Sequence, residues 1–271
     1  MFLQRALISF TLGPLALYLI YLGGLFYFIP LVIILLLATL EYAQLIKNIG
    51  WSVPAFVLVP VVVVQWALAQ WSNQALFAPL LLISLFIVAV YALWQFEGGT
   101  SQSVPANWFA LMAGLILFGW VCSHFFRLRA LPEMAWQWTM LAMLSTWIAD
   151  SGAYLVGRFV AGKVVLGKHA LTPRLSPNKT VEGFLGGVVL GTLFTVLIGS
   201  LLKIEFLPAL LLGLLVSTLG TVGDLGISLL KREAGVKDSG NLFPGHGGAL
   251  DRIDSLMWTV AIAYYLAQVF L

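Results

Sequence analysis

Charge is what this sequence has least of. Only 9% of its 271 residues are Asp, Glu, Lys or Arg, while 61% are hydrophobic. A soluble domain carries roughly 25% charged residues, so the composition excludes an ordinary water-exposed surface. It implies an integral membrane protein with bilayer hydrocarbon as its main solvent. Cysteine is nearly absent too: Cys122 stands alone in "LILFGWVCSHFF", which excludes an intramolecular disulfide. His124 beside it reads most simply as an interface or packing residue. No Cys/His constellation for zinc is present, no P-loop and no G-x-S-x-G element, and no internal repeat of the inverted-repeat transporter kind. The N-terminus starts with a positive charge but lacks an A-x-A-like cleavage site, so it reads as a retained span.

Long apolar runs take the place of what is missing. A spanning helix needs about 20 mostly apolar residues, and such runs lie near 6–24, 26–45, 53–71, 75–95, 106–126, 136–157, 181–202, 206–230 and 255–271. They predict an all-α, polytopic membrane protein with about nine transmembrane helices, because every backbone polar group in lipid must be satisfied within its own segment. Residues 1–130 hold N-terminal helices and no chemistry motif; residues 131–271 form the catalytic region, with polar loops at 158–180 and 231–254. One side of the membrane carries Arg5, Lys47, Arg158, Lys163, Lys168, Arg174, Lys179, Lys231, Arg232, Lys237 and Arg252. The other carries little beyond Arg127, Arg129 and Lys203. The crowded side is expected to be cytoplasmic, which turns both polar loops toward soluble nucleotides.

Two acids stand out within the runs. Asp150 lies eight residues before Arg158, and Asp224 seven before Lys231. At 1.5 Å rise per residue each sits about 10–12 Å below its basic end. A carboxylate at that depth costs about 2.5–3.5 kcal/mol and normally faces a cavity or a partner; the plainer alternative is a helix–helix hydrogen bond. Gly213, Ser217, Thr221, Asp224, Ser228 and Lys231 step by three and four, so they share one helical face. Gly183, Gly187, Gly191, Thr195 and Gly199 recur every four residues, a small-residue row that lets helices approach closely.

The loops hold the rest of the polar chemistry. Ser176 followed by Pro177 predicts an N-cap and a first helical position, which puts Lys179 and Thr180 in the first turn, where free N–H groups favour anions. The bland alternative is a positive loop with an ordinary cap. In the second loop Lys231, Arg232 and Lys237 can neutralise a polyphosphate. Gly240, Gly245, Gly247 and Gly248 let backbone N–H groups approach a ligand. Asp251 and Asp254, three apart, can share a helical face, and with Asp224 they suit a hard cation such as Mg²⁺. Either is also a plausible N-cap. His246 is favoured as a phosphate donor or loop-ordering residue over a general base, since a phosphate monoester with its second pKa near about 6 is already a charged nucleophile.

The run from Ser228 to Asp254, S-L-L-K-R-x4-K-D-x-G-x2-F-P-x-H-G-G-x2-D-R-I-D, closely resembles the signature of the phosphatidate cytidylyltransferases, the CDP-diacylglycerol synthases. "DSGAYLVGRFVAGK" at 150–163, "SPNKTVEGFLGG" at 176–187 and "GDLGISLLKR" at 223–232 are similar to further blocks of that family. The resemblance covers roughly residues 140–260; Ala249 departs from it where a larger aliphatic residue is usual. It implies transfer of CMP from CTP to phosphatidic acid at the bilayer surface, with release of pyrophosphate. The expected catalytic set is Asp224, Lys231, Arg232, Lys237, Asp238, His246, Asp251, Arg252 and Asp254. Ser176, Lys179, Thr180, Ser228, Gly247 and Gly248 would bind the phosphates, and Asp224, Asp251 and Asp254 would hold Mg²⁺. A monovalent cation beside the Mg²⁺ and a homodimer both stay open, nucleic acid is not an expected partner, and the expected location is a bacterial inner membrane with the site facing the cytoplasm. Two rivals remain at this point: a CTP-dependent polyprenol or phytol kinase, and an ion-coupled transporter using Asp150 and Asp224.

Overall fold

A computed structural model describes residues 2–71, 76–99, 103–162, 167–242 and 247–271. The chain is mostly helical: α1 (Phe2–Leu22), α2 (Gly24–Asn48), α3 (Ala55–Trp71), α4 (Phe77–Glu97), α5 (Val104–Gly114), α6 (Cys122–Arg129), α7 (Ala135–Phe159), α8 (Val181–Leu201), α9 (Phe206–Glu233), α10 (Leu250–Ile253) and α11 (Leu256–Phe270). A π-helical turn, Leu115–Val121, joins α5 to α6. Among the described residues six helical stretches are long and apolar enough to cross a membrane: α2, α4, Val104–Arg129, α8, α9 and Leu250–Phe270. The expected count of about nine is therefore met by six on these criteria. Thr11–Leu22 and α3 are apolar but shorter. Outward-facing Phe86, Val90, Leu93, Leu185, Val189 and Leu193 are exposed, an apolar surface that water would not tolerate and lipid does.

The chain forms two compact units. The first joins Met1–Ala130 to Leu230–Ile253. Its core gathers Tyr42, Leu58, Trp66, Leu111, Phe118 and Phe126, all fully buried. The π turn here has a structural use: Phe118, within it, presents its carbonyl to the Trp66 indole N–H at 2.7 Å, and the Tyr42 hydroxyl donates to Ala110 O at 2.7 Å. Both polar tips are thereby satisfied inside an apolar core.

The second unit comprises Leu131–Leu229 and Asp254–Leu271. The expected small-residue row is its organising feature. Gly183, Gly187, Gly191, Thr195 and Gly199 are all buried on α8. A Cβ at Gly187 would stand 2.9 Å from Ala149 O and 2.9 Å from Ala153 Cβ of α7, and one at Gly183 would stand 2.7 Å from Ala153 O. On α9, Gly213 approaches the α8 backbone just as closely, its Cβ position lying 2.8 Å from Thr192 Cα. Hydroxyls tie the same helices: Thr195 to Ser145 at 2.9 Å and Thr146 to Thr259 at 3.0 Å. With no hydrophobic effect between helices in lipid, such close contact and interhelical hydrogen bonds are the main attractive terms. Gly187→Val should therefore destabilise this unit by about 1–3 kcal/mol through overpacking, read as a lower thermal midpoint in detergent.

A two-stranded hairpin adds to the helical expectation. Strand β1 (Ala170–Thr172) pairs antiparallel with β2 (Ser176–Thr180), Ala170 opposite Thr180 and Thr172 opposite Ser176. The predicted Ser176 cap is corrected accordingly. Residues 176–180 are strand, and α8 begins only at Val181. Its cap is Thr180, whose hydroxyl oxygen accepts the Gly183 N–H at 3.0 Å. The reason is pairing: β1 supplies backbone partners to this segment, so helix can start only beyond it. Val181 N–H donates to His169 O at 2.9 Å, and Glu182 accepts from His169 Nδ1 at 2.6 Å, fastening the hairpin to the helix start.

Candidate active site

Within each unit a lysine and a carboxylate of the expected set head a small polar cluster: Lys179 with Asp224, and Lys231 with Asp251. In the second unit, β2 brings Lys179 to the face of α9, where its ammonium is paired with the Asp224 carboxylate. Ser228, one turn further on, reaches Asp224 Oδ1 at 3.4 Å. The Lys179 and Asp224 side chains keep 30% and 24% of their exposure, so this pair is open to solvent or ligand. Along the face predicted for α9, Gly213 and Ser217 are buried, while Thr221, Asp224 and Ser228 are half-buried. Asp254 lies in the turn after α10 and accepts the Ser255 N–H at 2.8 Å. Asp150 accepts from the Ser255 hydroxyl at 3.4 Å. Thr180 is buried and engaged as the α8 cap, and Ser176 is half-buried at the start of β2.

The first unit carries the second cluster. Lys231, in the last turn of α9, donates to Asp251 Oδ1 at 2.6 Å. Their side chains are only 10% and 6% exposed. The other oxygen, Asp251 Oδ2, accepts from Ser239 N at 2.8 Å, Ser239 Oγ at 3.0 Å and Gly248 N at 2.9 Å. Asp251 thus folds the loop around itself. Helix α9 closes with Val236 N–H on Lys231 O at 2.9 Å and Gly235 at φ +71°, a glycine-terminated C-cap of the Schellman kind. Gly247, at φ +81°, takes a left-handed turn that only glycine adopts freely. Arg232, Lys237, Asp238 and Arg252 are exposed. His246 and Lys163 lie outside the described residues.

One carboxylate in this cluster escaped the sequence analysis. Glu41, on α2, accepts the N–H groups of Ala249 at 2.9 Å and Leu250 at 2.8 Å, and the Ser239 hydroxyl at 2.7 Å. Backbone N–H groups at Gly247 and Gly248 were expected to approach a ligand; that of Gly248 is held by Asp251 instead, and Glu41 holds the next two, Ala249 and Leu250.

Carboxylate oxygens without sulfur or imidazole are the donor type that Mg²⁺ takes, and in this structure lysine ammoniums engage those of Asp224 and Asp251. Among the described residues no group of three or more His, Cys, Asp or Glu side chains is gathered closely enough to hold a metal by itself.

The profile described as "Cytidylyltransferase family" matches residues 3–270. A phosphatidate cytidylyltransferase of Bacillus subtilis is 43% identical over 155 residues, 55% of this chain and 55% of its own length. An uncharacterised Escherichia coli protein is 40% identical over 166 residues, 56% of this chain and 53% of that protein. These two matches span about half of each relative. A phosphatidate cytidylyltransferase of Synechocystis is 32% identical over 98% of this chain and 97% of its own length. With the profile running nearly end to end and the polar clusters falling inside the signature blocks, this chain belongs to the cytidylyltransferase family.

Proposed function

We propose that the protein transfers CMP from CTP to phosphatidic acid, giving CDP-diacylglycerol and pyrophosphate. The observation that carries this reading is that both lysine–carboxylate pairs, Lys179–Asp224 and Lys231–Asp251, fall within the blocks that resemble the phosphatidate cytidylyltransferases. Support comes also from relatives of that name in Bacillus subtilis and Synechocystis. An oxygen of the lipid phosphate attacks the α-phosphorus of CTP; that P–O bond forms as the bond from the α-phosphorus to the α–β bridging oxygen breaks, and this oxygen leaves with pyrophosphate. No proton need be removed from a nucleophile already ionised at neutral pH. Catalysis then rests on positioning and charge neutralisation.

Lys231, Arg232, Lys237 and Arg252 hold the nucleotide phosphates and the leaving group, while Lys179, with Ser176, holds one phosphate beside β2, where Thr180 serves as the cap of α8. Asp224, Asp251 and Asp254 are the proposed magnesium ligands; the ion would draw charge from phosphate oxygens. The finer membrane reading counts α1, α3 and α7 as further crossings, nine in all, with both polar loops on the cytoplasmic side of a bacterial inner membrane. A homodimer fits the same reading.

Purified protein in detergent, given phosphatidic acid, CTP and Mg²⁺, is expected to yield CDP-diacylglycerol and pyrophosphate one for one. Lipid phosphate with CDP would establish the kinase chemistry instead and overturn the proposal.

A further inference from the structure

Glu41 stands in an apolar helix, seven residues before the end of α2, and the first 130 residues carry none of the family-like blocks. A carboxylate there costs several kcal/mol unless its oxygens are satisfied. They are satisfied from far along the chain: by two consecutive backbone N–H groups, Ala249 and Leu250, and by the Ser239 hydroxyl. The cradle is shaped for this side chain. A Cβ on Gly240 would stand 2.9 Å from Glu41 Cδ, and one on Gly248 would collide with the carboxylate oxygens. The contact is therefore a built socket that any larger residue at 240 or 248 would close.

The socket is coupled to the ion pair. Ser239 Oγ lies 2.7 Å from Glu41 and 3.0 Å from Asp251 Oδ2, so its single proton is shared between the two carboxylates. Asp251 in turn holds Lys231 at 2.6 Å. Glu41 also takes backbone donors that would otherwise be free for a phosphate, which leaves the cationic side chains of this unit to grip the nucleotide.

We infer that Glu41 is a positioning residue for the nucleotide step: by pinning Ser239, Ala249 and Leu250 to α2, it sets the placement of Asp251 and Lys231 for the CTP phosphates. The inference rests on the cytidylyltransferase reading for the identity of the nucleotide. The test uses the full chain in detergent, with Glu41→Gln as the first variant. Its amide offers a single carbonyl oxygen and turns an NH₂ toward a backbone donor. Losing charge-assisted bonds of this kind should raise the KM for CTP about tenfold. The KM for phosphatidic acid should stay unchanged, while the thermal midpoint falls by a few degrees, because a backbone N–H of the socket loses its acceptor. Ser239→Ala, which deletes only the shared hydroxyl, should shift the CTP KM in the same direction by less, and it carries the test if Glu41→Gln fails to fold. An unchanged CTP KM in the folded variant, or a rise in both KM values together, overturns the inference. A second readout is independent of activity. Backbone amide exchange at Ala249 and Leu250 should quicken in Glu41→Gln, and unchanged exchange overturns the inference. If the unaltered chain makes no CDP-lipid, the functional reading fails while amide exchange still decides the socket.

Discussion

Asp224→Asn is expected to lower CDP-diacylglycerol formation by about 10²–10³-fold while leaving membrane insertion and yield as they are. The substitution is isosteric. It keeps an oxygen for Ser228, 3.4 Å away, and removes only the negative charge opposite Lys179. Because that pair retains 24–30% of its side-chain exposure, solvent screens it, and its loss costs the fold little, within about 1 kcal/mol. Activity and stability therefore separate. A carboxylate that merely tied β2 to α9 would give the opposite pattern, with a modest change in both. The measurement is initial rate at saturating CTP and phosphatidic acid over a Mg²⁺ titration, alongside a detergent melt. Near-normal turnover at saturating Mg²⁺ would remove Asp224 from the proposed metal ligands.

How much of this was legible beforehand depends on the distance between partners in the chain. The α8 row could be read because its period of four puts Gly183, Gly187 and Gly191 on one face whatever the tertiary context, and α7 does pack there. The Asp224 face of α9 was readable for the same reason. The hairpin was not. Ser176–Pro177 has the composition of a helix start, and only the pairing with Ala170–Thr172 turns it into strand, a non-local effect that outweighs cap preference. Glu41 was harder still, since its partners lie 198 to 209 residues downstream. The available signal was an acid within an apolar run, the same cost argument that singled out Asp150 and Asp224, together with glycines at 240 and 248 that leave room for it. The span count differs by length at Thr11–Leu22 and α3, which are apolar but short, and by composition at α7, whose Gln137, Thr139, Ser145, Thr146 and Asp150 lower its hydropathy below that of a simple span.

Lys231→Met should have the largest effect on stability. Lys231 and Asp251 are 10% and 6% exposed at their side chains, so the variant leaves a carboxylate with little access to water and no cation against it. Breaking such a pair from one side costs about 3–5 kcal/mol. Glu41 makes matters worse, because its carboxylate and that of Asp251 share the Ser239 hydroxyl and would repel with the ammonium gone. Adding Asp251→Asn should recover most of the loss. An asparagine there still offers a carbonyl oxygen to the Ser239 and Gly248 N–H groups, which Asp251 accepts at 2.8 and 2.9 Å, but carries no unpaired charge. The comparison is a double-mutant cycle on thermal midpoints in one detergent, with CTP turnover measured on the same samples. The expected pattern is a low midpoint for K231M, a near-normal one for K231M/D251N, and no turnover in either. If the double variant melts as low as the single one, the penalty comes from lost packing of the lysine stem, and the charge argument for this pair fails. If the double variant regains turnover, the pair holds the loop together without gripping phosphate, and Lys231 leaves the nucleotide-binding set.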